Sequence, residues 1–138
     1  MLTLCLTLIC LSTYINPMIN HILCEVLERS VQARYQDIKR FGIYFEESNN
    51  SLFLSDMYVK PDCRGNGIGS QVMNEVIQFA DSTKLPIVLI PEPEDETGTV
   101  KKLIAFYKKF GFTVNAGRKM DYSLSIPFAT SMVRYPKA

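Results

Sequence analysis

The chain has 138 residues, of which 47% are hydrophobic and 21% are charged. This length and composition predict a single domain spanning 1–138 with a buried core, and they leave little room for a second domain. The formal net charge is +1, from 15 basic and 14 acidic side chains, which argues against nucleic acid or a membrane surface as a partner.

The first residues predict a β-strand. Leucines alternate with smaller side chains, and this period of two is typical of a strand with one more apolar face: Leu2, Leu4, Leu6 and Leu8 against Thr3, Cys5 and Thr7. A secretory signal is the alternative for residues 1–11. It is less favoured because no Lys or Arg precedes the apolar run and no small-x-small cleavage site follows it.

A helix and a hairpin follow. Asn16 and Pro17 are suited to start a helix, and apolar residues at helical spacing extend it over about 17–34. Strands are expected at 40–46 and 52–59, joined by the turn residues 48–51. Pro61 should end the second strand, since proline cannot donate to a sheet ladder.

The second half of the chain alternates helices and strands. After a glycine-rich loop, a helix presents one apolar face formed by Ile68, Val72, Met73, Val76, Ile77 and Ala80. The apolar run 85–90 suits a strand buried on both faces, and a helix over about 99–109 ends near Gly111. Strands at about 112–116 and 131–135 complete the order β-α-β-β-α-β-α-β-β, a mixed α/β domain.

The cysteines and the single histidine do not suggest a metal site. Cysteines occur at positions 5, 10, 24 and 63, without a CxxC pair, and His21 is the one histidine. A disulfide framework is compatible with the count alone. A chain this apolar does not need such cross-links, so we expect free thiols in a reducing, cytoplasmic environment.

The loop from Arg64 to Gly69, RGNGIG, lies between a predicted strand and a predicted helix. Unpaired N–H groups and the positive end of the helix dipole favour an anion there, and glycines let the backbone approach it closely. A Walker loop would end in Gly-Lys-Ser/Thr, whereas this loop continues Gly69-Ser70-Gln71. A dinucleotide fingerprint would read GxGxxG, whereas this one reads GxGxG, so another pyrophosphate ligand is favoured.

Val59 to Gly69 reads VKPDCRGNGIG, and Ala105 to Phe112 reads AFYKKFGF. The first segment is similar to the VxPxxRGxGIG motif, and the second to the FYxxxGF segment, of the GNAT superfamily, the general-control-type N-acetyltransferases. The resemblance covers about 40–116. It implies a mixed, mostly antiparallel twisted sheet flanked by helices on both faces, and transfer of an acetyl group from acetyl-CoA to an amine without a metal.

The resemblance also implies roles for particular residues. The pyrophosphate of the coenzyme would contact Arg64, Gly65, Asn66, Gly67, Ile68, Gly69 and Ser70. The pantetheine arm would pair with the strand residues Met57, Tyr58 and Val59. Tyr107 would protonate the leaving thiolate, because a tyrosine with a pKa of about 10 is protonated at neutral pH. The usual strand glutamate is missing, so Asp56 is the candidate base.

The loop after the apolar strand is acidic, with Glu92, Glu94, Asp95 and Glu96. We expect Glu92 and Glu94 to attract a cationic acceptor, either a small amine or an amino group of a protein. A solvated loop is the plainer interpretation. Likewise, Tyr107 could serve only as a core aromatic residue, and Asp56 could serve only in an ion pair.

The missing strand glutamate leaves a second hypothesis open. A catalytically degenerate domain could bind acyl-CoA as a sensor or interaction module without turnover. The presence of Tyr107 favours the enzyme. A homodimer is an expectation from the resemblance alone.

Overall fold

The computed structural model describes residues 2–93, 95–96, 98–127 and 129–137, with side chains from Pro17 onward. In this part of the chain, five strands form one sheet in the order β1-β2-β3-β5-β4. They are β1 Ile38–Glu46, β2 Ser51–Val59, β3 Ile87–Leu89, β4 Thr113–Val114 and β5 Met132–Arg134. β2 and β3 are parallel, whereas the other three pairs are antiparallel. The predicted class, a mixed and mostly antiparallel sheet with helices packed against it, is confirmed.

Three α-helices are described: α1 Leu2–Arg34, α2 Ile68–Thr83 and α3 Val100–Lys108. The strand predicted for residues 2–8 is therefore wrong, because α1 already includes them. Leucine is a strong helix former, and a short apolar alternation does not distinguish a strand from a helix. The predicted helix start at Pro17 is also wrong, since Pro17 lies inside α1, although the predicted end at residue 34 is confirmed.

The remaining elements lie within a few residues of their predicted positions. Asn50 adopts a left-handed conformation with φ of 52° in the turn between β1 and β2. The side chain of Thr99 caps α3 by accepting a hydrogen bond from the amide of Lys102 at 3.1 Å. At the other end of α3, Gly111 has φ of 91°. The amides of Gly111 and Phe112 donate to the carbonyls of Lys108 and Tyr107, as in a Schellman motif.

The main core draws side chains from all three helices. From β1 and β2 it includes Phe41, Ile43, Phe45, Leu52 and Leu54, and from the helices it includes Cys24, Val31, Val72, Met73, Val76, Ala80 and Tyr107. A smaller cluster contains Val88, Leu124 and Val133. Val88 and Val133 pair with each other and alternate along β3 and β5 with residues of the main core, so this cluster lies on the opposite face of the sheet. The sheet is thus covered on both sides near β3.

A β-bulge and an early divergence shape β2. Leu54 pairs with Ile43 and Asp56 pairs with Gly42, so Ser55 is the extra residue on β2. β2 and β3 then pair only at Leu52–Ile87 and Phe53–Val88 among the described residues. Beyond those two pairs the strands separate, and the gap between them contains the candidate site.

Two further observations concern membrane-spanning helices and the cysteine thiols. Within the described residues, no helix combines the length and the apolar character needed to cross a membrane. Cys24 is a buried free thiol and Cys63 is a partly exposed free thiol. The side chains of Cys5 and Cys10 lie outside the described ones.

Candidate active site

The glycine-rich loop has the backbone conformation that its sequence predicts. Gly65 has φ of 88° and Gly67 has φ of 77°, a region that residues with a Cβ atom rarely adopt. Apart from the adjacent residues in the chain, no described atom lies within 4 Å of a Cβ built at either glycine. The loop therefore presents bare, open backbone at the start of α2, where a large anion could approach.

The first turn of α2 has amide groups available for such an anion. Gly67 is the N-cap and has no side chain with which to cap the helix. The first intrahelical bond runs from the amide of Gln71 to the carbonyl of Gly67, so the amides of Ile68, Gly69 and Ser70 have no partner within the helix. The positive end of the dipole of this 16-residue helix adds to the attraction for negative charge.

A cavity of about 470 Å³ adjoins this loop and extends into the gap between β2 and β3. Most of the residues predicted for the site line it: Asp56, Met57, Tyr58, Val59, Arg64, Gly65, Gly67, Ile68, Gly69, Ser70, Glu92 and Tyr107. Asn66 does not line it; its side chain donates to the carbonyl of Cys63 at 3.4 Å. Glu94 lies outside the described residues.

The backbone of β2 is open toward the cavity. The amide of Leu52 donates toward β3, to Pro86, whereas that of Lys60 donates toward β1, to Asp37. Alternate residues of a strand direct their peptide groups to opposite sides, and the extra residue Ser55 shifts that alternation. Met57 and Val59 consequently direct their peptide groups into the gap, while Tyr58 directs its own toward β1.

Tyr107 lies on α3 at the inner wall of the cavity. The residue is only 7% exposed, and its ring contacts Phe106 and Phe112 edge-on. Burial raises the pKa of its hydroxyl to about 12. No described group forms a hydrogen bond with this hydroxyl, and no described side-chain oxygen is both fully buried and unpaired. The oxygen atom must therefore open onto the cavity.

Arg64 is turned back toward β2 and the acidic loop. Its Nε donates to the carbonyl of Val59 at 3.1 Å, and its Nη2 donates to a carboxylate oxygen of Asp95 at 2.9 Å. The Tyr58 hydroxyl donates to the same carboxylate at 2.7 Å. The Arg64 guanidinium also lies 5.1 Å from the centre of the Tyr58 ring. Three chain segments are thus joined at one point on the rim of the cavity.

Simple alternation along β2 would place the side chain of Asp56 on the same face as those of Leu52 and Leu54. The bulge at Ser55 breaks this alternation, because it reverses the sides of the following residues. Met57 and Val59 pack against the main core instead. Asp56 lines the cavity, and its carboxylate lies 3.8 Å from the Nε of Arg40.

A second cavity of about 320 Å³ adjoins the first at the end of β3. The two share Leu54, Ser55, Ile90, Glu92 and Pro93. The second cavity also contacts Phe53, which packs with the smaller cluster on the opposite face of the sheet. The gap between the strands is therefore accessible from both faces, with Glu92 at the junction.

The sequence did not predict the contact of Asp95 with Arg64 and Tyr58, nor the packing of the Phe106 ring beside Gly69. Asp95 was recognisable only as one acid among several in its loop. Phe106 precedes Tyr107 in the FYxxxGF segment, and its ring lies 3.5 Å from a Cβ built on Gly69. No group of three or more potential metal ligands occurs among the described residues.

Comparison with known proteins agrees with this arrangement. The family described as Acetyltransferase (GNAT) domain matches residues 26–114. The thialysine N-epsilon-acetyltransferase of Sus scrofa is 29% identical over 69 residues, which are 47% of this chain and 41% of that protein. The Bos taurus protein of the same name is 28% identical over an equal span. The chain thus spans less than half the length of these curated relatives.

Solved structures show the same fold. The anti-CRISPR protein AcrVA5 is 25% identical with a TM-score of 0.51, and the match covers 67% of this chain and 85% of that one. GCN5 of Tetrahymena is 15% identical with a TM-score of 0.52, covering 70% and 59% respectively, a likeness of fold alone. The family match spans well over half of the chain and includes both the glycine-rich loop and the segment of Tyr107, so this chain belongs to the GNAT acetyltransferase family.

Proposed function

We propose that this domain transfers an acetyl group from acetyl-CoA directly to an amine acceptor. The observation that carries the proposal is one continuous cavity. It contains the unpaired amides of α2 at one end, the open backbone of β2 along its side and the hydroxyl of Tyr107 on its wall. Each feature suits a different part of the coenzyme.

The coenzyme would lie along this cavity from loop to strand. Its pyrophosphate suits the amides of Ile68, Gly69 and Ser70, because a helix N-terminus favours phosphate groups. Its amide-containing pantetheine arm suits the peptide groups of Met57 and Val59, in the manner of an added strand. The carbonyl of Val59 accepts a hydrogen bond from Arg64. The N–H of Val59 and both the N–H and the C=O of Met57 are left for pairing with the pantetheine arm.

The proposed reaction needs three proton transfers. The acceptor ammonium first loses a proton, and the neutral nitrogen bonds to the thioester carbonyl carbon as the carbon–sulfur bond breaks. Tyr107 gives its hydroxyl proton to the departing thiolate, and the second proton that the nitrogen releases as the amide forms returns the tyrosinate to its neutral state. Asp56, which lines the cavity, is the proposed acceptor of the ammonium proton.

The acceptor would enter through the second cavity, on the side away from the main helical core. Glu92 lines both cavities, so a cationic amine that reached the thioester would pass its carboxylate. Attraction of opposite charges at this junction favours a primary ammonium group over a neutral or anionic acceptor. Glu94, in the same loop, is proposed to strengthen this field.

The test of the coenzyme site is calorimetric titration of acetyl-CoA into the protein and into Gly67→Glu, with Gly67→Gln as a neutral control of equal size. A carboxylate about 5 Å from one phosphate charge costs roughly 1–3 kcal/mol at an effective dielectric constant between bulk water and a protein surface. The glutamate variant should therefore bind about five- to 150-fold more weakly than the glutamine variant. Absence of binding to the unaltered protein would refute the proposed function.

A further inference from the structure

We propose that Asp95 is a positioning residue that competes with the coenzyme pyrophosphate for Arg64 and thereby sets how tightly the coenzyme is held. This inference rests on the proposed function, because it concerns the affinity of the same coenzyme site. It assigns to the acidic loop a role in the coenzyme half of the reaction, in addition to any attraction for the acceptor.

The position of the Arg64 side chain is the first step. Arg64 immediately precedes Gly65, so its side chain starts at the edge of the proposed pyrophosphate site. Its guanidinium nevertheless points back to the carbonyl of Val59 and the carboxylate of Asp95. In this arrangement, the positive charge of Arg64 is balanced by Asp95 and contributes little to the field over the loop.

The position of Asp95 is also fixed. Its carboxylate accepts from the Tyr58 hydroxyl at 2.7 Å as well as from Arg64 at 2.9 Å. The hydrogen bond to Asp95 raises the pKa of Tyr58, as expected for a hydroxyl that donates to an anion. Because β2 carries Tyr58, the sheet holds the acidic loop where its carboxylate can reach Arg64.

Competition follows from charge. A pyrophosphate at the start of α2 is a second anion within reach of Arg64, and a guanidinium engaged by Asp95 is less available to it. Removing the carboxylate should free the charge of Arg64 for the coenzyme. Tighter binding would slow the departure of the product coenzyme A, a step that often limits turnover in enzymes.

The experiment measures the dissociation constant and the release rate of coenzyme A for the full chain and for Asp95→Asn. Exposed ion pairs of this kind contribute up to about 1 kcal/mol, so the variant should bind about two- to fivefold more tightly and release coenzyme A more slowly. Tyr58→Phe, which removes one of the two bonds to Asp95, should show a smaller effect in the same direction. Asp95→Glu should restore weaker binding.

Two controls separate the proposed competition from other effects. Glu96→Gln removes an equal charge from the same loop, but Glu96 lines neither cavity. The affinity of this variant for coenzyme A should therefore match that of the unaltered protein. In an Arg64→Gln background, Asp95→Asn should no longer tighten binding. The inference is overturned if Asp95→Asn binds no more tightly than Glu96→Gln, or if its gain persists without Arg64. Failure of the unaltered protein to bind coenzyme A would instead refute the proposed function itself.

Discussion

Replacing Tyr107 by phenylalanine is the substitution that most directly tests the proposed chemistry. The change removes one oxygen atom and keeps the ring, whose edge contacts with Phe106 and Phe112 have centroid distances of 5.2 and 5.7 Å. No described group is hydrogen-bonded to the lost hydroxyl, so the variant leaves no buried partner unsatisfied. The free energy of unfolding at neutral pH should therefore change by less than about 0.5 kcal/mol.

The rate should change far more than the stability. A positioned general acid contributes about 100- to 10,000-fold, and kcat of Tyr107→Phe should fall by that factor with the dissociation constant of acetyl-CoA unchanged. Release of free coenzyme A, followed with a chromogenic thiol reagent in the presence of a panel of primary amines, measures this rate. Because the pKa of Tyr107 is raised to about 12, loss of its proton should not reduce kcat below pH 10.

The same raised pKa predicts a difference in alkaline stability. The hydroxyl ionises near its ordinary pKa of 10.0 in the unfolded chain and near 12 in the folded protein. The folded protein therefore keeps its full stability below pH 10 and loses stability as the pH rises toward 12, because the unfolded chain gives up this proton more readily. This loss amounts to roughly 3 kcal/mol. Urea denaturation at several alkaline pH values should show a shallower decline for Tyr107→Phe.

One result would refute the reasoning about the reaction. If Tyr107→Phe released coenzyme A at the rate of the unaltered protein under saturating conditions, Tyr107 would not be the proton donor. If neither protein released it with any amine while both bound acetyl-CoA, the domain would be a coenzyme-binding module, the alternative that the sequence left open.

Two further predictions concern charged groups. Arg134 is 3% exposed and donates two hydrogen bonds to Asp81, and this contact lowers the pKa of Asp81. Asp81→Asn should reduce the free energy of unfolding in urea by about 1–2 kcal/mol at pH 7, and the difference should vanish as the pH falls below 3.8. Glu92→Gln should raise the acceptor KM about two- to fivefold with acetyl-CoA binding unchanged, whereas Glu96→Gln should alter KM less; equal effects would contradict the role given to Glu92.

The central part of the chain could be predicted from sequence because its signals are local. The turn before β2 contains Asn50, which tolerates the left-handed conformation, and Pro61 ends the strand. Gly65 and Gly67 occupy positive φ values that other residues rarely adopt. Since each of these features depends on neighbouring residues only, the loop and its flanking elements were predicted within a few positions.

The first helix shows where a periodic pattern is insufficient. Apolar residues at helical spacing correctly predicted a helix over 17–34, but several of them are exposed on α1: Met18, Ile19, Ile22, Leu23 and Val26. Among the described side chains of α1, those of Cys24 and Val31 are buried in the core, and that of Leu27 is partly buried. A pattern with more apolar positions than one face requires does not reveal which of them the sheet will cover.

The details of the site depend on contacts between distant segments. The bulge at Ser55 is defined by the pairing of β2 with β1, so simple strand alternation does not give the face on which Asp56 lies. The bonds of Asp95 to Arg64 and Tyr58 join residues 31 and 37 positions apart. From the sequence alone, the acidic side chains of the loop after β3 are equivalent. In the structure, Asp95 is the acid among the described residues of this loop that contacts a cation, Arg64.

The divergence of β2 from β3 explains several properties of the site together. Two residue pairs join the strands at one end. Beyond these pairs, the peptide groups of Met57 and Val59 face the gap and form no hydrogen bond with a described neighbouring strand. The same gap lets the loop after β3 extend sideways, so that Glu92 reaches the junction of the two cavities and Asp95 reaches Arg64. A longer β2–β3 ladder would pair the strand backbone and close the gap. Loss of pairing at this one place is therefore what creates both the proposed coenzyme channel and the control that Asp95 exerts on it.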